Sequence, residues 1–429
     1  MVIFWFRRDL RIDDNHALFR ALKSGLDVLP IFIFDTDITN KLNKNDHRLN
    51  YINKVINELN DKLLAKKKKI YTYSGKPKDV IKKLIKKLKI KEIYINKDYE
   101  PYAHERDNEI KEICEKNNVT YNSFKDHVIY EEDEIVKTDG TPYVVYTPYS
   151  KKWIEKYNST QTKTYNSEKY LENLVDFNTI EIDNIKKIIK EKIILPENYT
   201  LNNDLIDKYE DTRNFPALDS TSRIGVNLRF GTVSIRKIVK KSSSRLNNTY
   251  LKELIWREFF MQILWHFPHT TKRSFKDKYE RIEWRNDMED FKLWCDGKTG
   301  YPIVDAGMNQ LNETGFMHNR LRMVVGSFLC KHLLIDWRLG EKYFADKLFD
   351  YEQASNVGNW QWVAGCGVDA APYFRIFNPE SQQKKFDKDL LYIKKWIPNF
   401  EENNYIKKIV EHKFARERCL NTYKKALNK

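Results

Sequence analysis

Over the first 130 residues, short apolar runs alternate with longer stretches of helical periodicity. VIFWF (2–6), VLPIFIF (28–34), KIYTYS (69–74), KEIYIN (91–96) and TYNSF (120–124) are rich in β-branched and aromatic residues and predict strands. Between them DHRLNYINKVINELNDKLL (46–64), KDVIKKLIKKLK (78–89) and HERDNEIKEICEK (104–116) predict helices. In the second of these, Val80, Ile81, Leu84, Ile85 and Leu88 form one face and lysines fill the other. Strand–helix alternation predicts a Rossmann-like α/β domain, a parallel sheet with helices on both faces. No GxGxxG follows the first strand, which disfavours a nicotinamide-dinucleotide site. The crevice at the strands' C-terminal ends stays available to another ligand.

Residues 131–200 lose this rhythm. KTDGTPYVVYTPYSKKW begins with an Asp-Gly turn and NSTQTKTYNSEKY is polar, so the segment predicts a long interdomain linker with some local helix. From 201 onward the pattern is helical almost throughout, and eight of the ten tryptophans lie between Trp256 and Trp396. The expected plan is an α/β domain (1–130), the linker (131–200) and an all-α C-terminal domain (201–429).

At 429 residues the chain is long for one core, which agrees with two domains. Five scattered cysteines without a CxxC pair fit reduced thiols, not a disulfide framework or a zinc site. After Met1 the apolar run VIFWF is too short for a signal peptide. No run approaches the ~18 apolar residues of a membrane span. The expectation is a soluble, cytoplasmic protein without a metal. A net charge of +15 points to a polyanion, nucleic acid first. Lysine clusters such as KLLAKKKKI (62–70) are equally compatible with solvated faces.

Three segments carry candidate chemistry. In ELIWREFF (253–260), Glu253, Trp256, Arg257 and Phe260 share one helix face. That stripe suits either the wall of a cavity or an amphipathic helix with an internal ion pair. In HNRLRM (318–323), Arg320 and Arg322 are two apart and cannot point the same way, whereas Asn319 and Met323 can. One arginine can face a phosphate while the other meets a buried carboxylate, with Asp350 a candidate. TSRIG (221–225) precedes a helical stretch, where hydroxyls and free N–H groups can take a phosphate or simply cap the helix.

In order, FWFRRDLRIDDNHAL (4–18), YEDTRNFP (209–216), TSRIGVNLRFGTVS (221–234), ELIWREFF, GKTGYPIVDAGMNQLNETGFMHNRLRM (297–323), LLIDWRLGEKYF (333–344) and SNVGNWQWVAGCGVDAAPYFRIFNP (355–379) resemble the photolyase/cryptochrome family. They are most similar to the class I cyclobutane pyrimidine dimer (CPD) photolyases. The resemblance implies an FAD buried in the helical domain, beneath a cavity open to UV-damaged DNA. It implies light-driven repair of pyrimidine dimers by electron transfer from reduced FAD, in a protein expected to be a monomer. A cryptochrome-type blue-light photoreceptor and a (6-4) photolyase are the alternatives.

The same resemblance assigns residues. Tyr209 and Thr221, Ser222, Arg223, Ile224 and Gly225 match positions holding the cofactor's phosphates and ribityl chain; Ile224-Gly225 replaces the usual Leu-Ser, which removes one hydroxyl. Asn319, Arg322, Asp350, Tyr351 and Glu352 match positions lining the flavin, and Asn356 matches the residue facing its N5. An amide can turn its carbonyl or its NH₂ toward that nitrogen. Trp360, Trp337 and Trp284 match an electron-transfer chain. Glu253, Trp256, Met323 and Trp362 match the contacts to the dimer, and Arg213, Arg257, Arg320 and Arg375 positions near the DNA backbone or the cavity rim, with Arg257 also beside the cofactor and Asn319 also near DNA. A second, antenna chromophore is open. Folate-binding relatives carry an Asn-Glu pair where this chain has Tyr102-Ala103, so the usual folate contacts are absent and a deazaflavin, a flavin or none remains.

Overall fold

The five apolar runs form five strands, and their burial follows their place in the sheet. The computed structural model describes residues 1–43, 46–176, 194–245, 247–401 and 404–428. In it β1 (Val2–Phe6), β2 (Val28–Asp35), β3 (Tyr71–Gly75), β4 (Glu92–Asn96) and β5 (Thr120–Phe124) make one sheet in the order β3-β2-β1-β4-β5. Every pair is parallel. The inner strands β1 and β2 are buried along their whole length, as strands covered on both faces must be. The edge strands β3 and β5 keep exposed positions. The helices used below are α1 (His16–Leu22), α2 (His47–Leu64), α3 (Pro77–Lys87), α4 (Pro101–Lys116), α5 (Tyr146–Ser159), α6 (Asn203–Thr212), α7 (Gly225–Phe230), α8 (Ile235–Ser243), α9 (Thr249–His266), α10 (Pro302–Thr314), α11 (Asn319–Ser327), α12 (Trp337–Lys347), α13 (Gln353–Ala364) and α14 (His412–Leu427). Within the expected linker, α5 and a helical turn at Ser167–Asn173 form, while 177–193 lie outside the described residues.

Contacts divide the chain into two units. The first comprises Met1–Ile135, Lys151–Glu197 and Ile224–Ser244; the second comprises Val136–Ser150, Asn198–Arg223 and Arg245–Lys429. The sequence reading drew one boundary near residue 200, and the return of 224–244 has a clear physical cause within the first unit. The FRRDLR motif leaves β1 carrying three arginines, each with a carboxylate partner: Arg7 with Asp107, Arg8 with Asp98 at 2.8 Å, and Arg11 with Asp126 at 2.6 Å. Arg236, on α8, adds a second guanidinium to Asp126 at 2.9 Å and reaches Asp14 at 3.2 Å. Burial alone would raise the Asp126 carboxyl, but Arg11 and Arg236 hold it far below the usual carboxylate range. Gly231 follows α7 with φ +64°, and a Cβ there would lie 2.0 Å from the Arg8 carbonyl oxygen, so only glycine fits.

The second unit is helical, with Trp294, Tyr301, Phe328, Trp337, Tyr392 and Tyr423 deep in its core. Helix α9 buries Leu254, Ile255, Phe259, Met261 and Ile263, so it is apolar on most sides and reads as a central helix. It packs against α13 at Gly358, where a Cβ would come within 2.2 Å of the Phe260 ring. Among the described residues no helix is long and apolar enough to cross a membrane. None of their His, Cys, Asp and Glu side chains form a group of three or more able to hold a metal.

Candidate active site

Helices α9, α11 and α13 of the second unit, with the turn at 348–352, enclose a cavity of about 340 Å³. Helix α9 supplies Glu253, Trp256, Arg257 and Phe260 to one wall, the four residues whose spacing put them on one face. Helix α13 supplies Ser355, Asn356, Asn359, Trp360, Trp362 and Val363. Helix α11 adds Asn319, Arg322 and Met323, the turn adds Asp350, Tyr351 and Glu352, and Arg213 completes the rim.

Two regions differ in chemistry. In one, Trp256 and Trp362 are both only partly buried and present aromatic surface to the cavity. Tyr146 stacks on Trp256 at 3.6 Å between centroids and 6° between planes. The tyrosine is itself fixed, since its hydroxyl donates to the Lys252 carbonyl at 2.7 Å and its backbone N–H to Asp369 at 3.2 Å. Glu253 accepts from Arg213 at 2.6 Å. Arg320 donates to Asn214 Oδ1 at 2.5 Å and lies 4.3 Å over the Phe386 ring. Burial, then the charges of Arg213 and Arg375, lowers the Arg320 pKa, so this edge is a set of mutually repelling cations. An anion would relieve that repulsion.

In the other region Arg322 pairs with Asp350 at 2.9 Å and also donates to the Met317 carbonyl at 2.8 Å. The two-residue offset between Arg320 and Arg322 therefore sends one guanidinium to a carboxylate and the other to the rim. His318 caps α11, its Nδ1 accepting from the Arg320 N–H at 3.1 Å. Burial, then Arg320, Arg322, Arg213 and Arg223, push its pKa down to about 4, which keeps that acceptor unprotonated. Asn356 is buried and donates through Nδ2 to the Glu341 carbonyl and to Glu341 Oε1, each at 3.0 Å.

Several expected site residues do not line the cavity. Tyr209 meets Tyr250 edge-on at 5.0 Å, and the Tyr250 hydroxyl donates to Ser222 Oγ at 2.8 Å. Arg223, at φ +53°, pairs with Asp219 at 3.1 Å. Thr221, Ser222 and Arg223 belong to the second unit, whereas Ile224 and Gly225, at the start of α7, belong to the first. Arg375 is exposed. Of the expected tryptophan chain, only Trp360 lines the cavity. Its ring contacts Phe344 at 5.0 Å and Trp294 at 6.2 Å. Trp337 is buried under the Arg338 guanidinium, and Trp284 meets Tyr423 at 6.0 Å. Sequence reasoning missed Ser355 and Asn359, although they sit one and two turns along α13 from Glu352, and it missed Tyr146 and Glu341, whose positions depend on tertiary contact.

A parallel α/β unit and a helical unit whose cavity joins exposed indoles to arginines characterise the photolyase and cryptochrome class, and the chain shares its fold. A bacterial class III photolyase from Agrobacterium tumefaciens matches with a TM-score of 0.88 and 31% identity, over 100% of this chain and 98% of that one. An archaeal photolyase from Sulfolobus tokodaii, solved with two FAD molecules, matches with a TM-score of 0.81 and 29% identity, over 99% of each. The family model for the FAD binding domain of DNA photolyase matches residues 250–403, and the model for DNA photolyase matches residues 2–167. A deoxyribodipyrimidine photo-lyase from Alkalihalophilus pseudofirmus is 34% identical, over 97% of this chain and 92% of its own length. The chain belongs to the DNA photolyase family, and its second unit carries that family's FAD-binding domain.

Proposed function

We propose that this protein repairs cyclobutane pyrimidine dimers in UV-damaged DNA, using light and reduced FAD. The observation that carries the reading is the cavity itself. It joins a stacking platform, Trp256 and Trp362 with the carboxylate of Glu253, to a polar end formed by Arg322, Asp350, Asn319 and Asn356. The polar end suits a flavin: Asn356 Oδ1 has no protein partner among the described residues, and Trp360, Phe344 and Val363 offer apolar surface beside it. Tyr209 and the 221–225 segment are the residues we assign to the phosphate and ribityl end. Bound FAD supplies, when reduced and excited, the electron that splits the dimer.

The chain's own residues do the rest. Arg213, Arg257, Arg320 and Arg375 take the DNA phosphates, so affinity falls as salt rises. The lesion is turned out of the duplex into the cavity, as photolyases and other enzymes that act on a base do. Trp256 and Trp362 stack on it, Met323 touches it, and Glu253 exchanges its bond with Arg213 for one to the base edge. Trp360, Trp337 and Trp284 pass electrons inward to restore the reduced cofactor. We assign the first unit to an antenna role and the second to FAD and substrate, in a monomer that works in the cytoplasm. Folate in its usual place is disfavoured, because the Tyr102 hydroxyl is committed to Asp35 at 2.6 Å and Ala103 is buried.

The test is light-dependent repair by purified protein of oligonucleotides carrying either a CPD or a (6-4) lesion, under identical light. Faster repair of the (6-4) lesion, or none of the CPD, overturns the reading.

A further inference from the structure

Asn356 is wedged against a residue that does not itself line the cavity. Both oxygens within reach of Asn356 Nδ2 belong to Glu341 on α12, the backbone carbonyl and Oε1, each at 3.0 Å. Only an NH₂ group can meet two acceptors, so the amide orientation follows from chemistry: reversing it would set Oδ1 against two oxygens. The Tyr351 hydroxyl also donates to Glu341 Oε1, at 3.4 Å, so two cavity residues converge on one carboxylate. Burial raises the Glu341 pKa, while the bonds from Asn356 and Tyr351 favour its ionised, accepting form. The NH₂ is thereby spent on Glu341, and Oδ1 is left for the cavity.

We propose that Glu341 is a positioning residue that locks the Asn356 amide with its carbonyl toward the cavity, so that the site offers an acceptor and favours a protonated nitrogen on the ring bound there. The inference rests on the reading that FAD occupies this cavity with N5 at Asn356. The backbone carbonyl of residue 341 persists in any variant. Loss of the carboxylate therefore loosens the lock and lets the amide present NH₂ in part of the population, which favours a bare ring nitrogen.

The experiment uses FAD-loaded wild type, Glu341→Leu and Glu341→Gln, illuminated with an external reductant at one fixed pH. The readout is the ratio of N5-protonated to unprotonated one-electron-reduced flavin, taken from the long-wavelength absorbance. Glu341→Leu lowers that ratio about tenfold, the scale of one hydrogen bond to a charged group. Glu341→Gln, whose carbonyl still accepts from Nδ2, stays within about twofold of wild type, well inside that single-bond scale. If Glu341→Leu does not fold, Glu341→Met removes the same acceptor with a flexible, helix-compatible side chain and carries the same expectation. Wild type that retains no FAD overturns the underlying reading. Wild type that retains FAD, with the Leu or Met variant unchanged in ratio or the Gln variant as impaired as they are, overturns this inference alone.

Discussion

Trp256 offers a stacking surface on one side only, and that asymmetry sets the size of its contribution. Tyr146 lies flat against one face of the indole at 3.6 Å, so a flipped base can take only the other. One base–aromatic stack is worth about 1–3 kcal/mol by alanine substitution. Trp256→Ala therefore weakens binding to a CPD-containing duplex by roughly 5- to 150-fold. Binding to undamaged duplex barely changes, because there no base is turned out and the contacts are to phosphates. Removing the indole also breaks the Tyr146 stack, which costs about 0.5–1.5 kcal/mol of stability beyond the area lost. A modest fall in melting temperature is thus expected and does not count against the reasoning. Tyr146→Ala separates the effects: it leaves the indole present but unbraced, and weakens damaged-DNA binding less than Trp256→Ala does. Fluorescence anisotropy with paired damaged and undamaged oligonucleotides, at one stated salt concentration, measures all of this. Loss of less than about twofold for Trp256→Ala, below the weakest such stack, or an equal loss on undamaged DNA, refutes the stacking role.

Trp360→Phe slows photoreduction of oxidised FAD while leaving repair by chemically pre-reduced enzyme nearly intact; equal loss in both assays speaks against an electron-supply role. His318 sits at about 4 when folded, against about 6.5 in an unfolded chain, so the unfolded state binds the extra proton between those values. Its contribution, up to about 3 kcal/mol, is complete above pH 6.5 and is lost as pH falls toward 4. Urea denaturation at pH 7 and pH 5 reads this, and His318→Asn, which keeps an acceptor for the Arg320 N–H, flattens that part of the dependence; an unchanged slope sinks the assignment. Incubation with folate, a deazaflavin or a flavin, followed by gel filtration and mass spectrometry, leaves folate unretained; stoichiometric folate overturns the expectation drawn from Tyr102 and Ala103.

The sheet was legible because its strands are short, apolar and separated by helices with clear faces, and Lys-rich α3 showed its apolar stripe plainly. Helix α1 was not, since HALFRAL is too short for periodicity to speak, and Asn15, which caps it, reads like any turn residue. In the cavity, the stripe Glu253, Trp256, Arg257, Phe260 was readable because one helix carries it. Arg322 and its carboxylate could be anticipated from an offset of two. Tyr146 and Glu341 could not: one reaches Trp256 from more than a hundred positions away, and the other acts through a single amide on a neighbouring helix. Spacing along the chain reports only the company a residue keeps within its own element.

The first unit ends at Ser244, not where its sheet ends, because Arg236 and Gly231 belong to the ion-paired layer beneath β1. During synthesis β5 is complete by residue 124, yet Asp14 and Asp126 then lie buried with part of their positive complement still to be made. Domains ordinarily fold as units in order of emergence. Here the N-terminal sheet has to wait, as a nascent chain, for about 120 further residues, a length set by Phe124 and Ser244 and including the first stretch of the second unit. A fragment cut near residue 200 is therefore an unfinished fold with two stranded carboxylates, and the smallest N-terminal piece that can close on itself extends through α8.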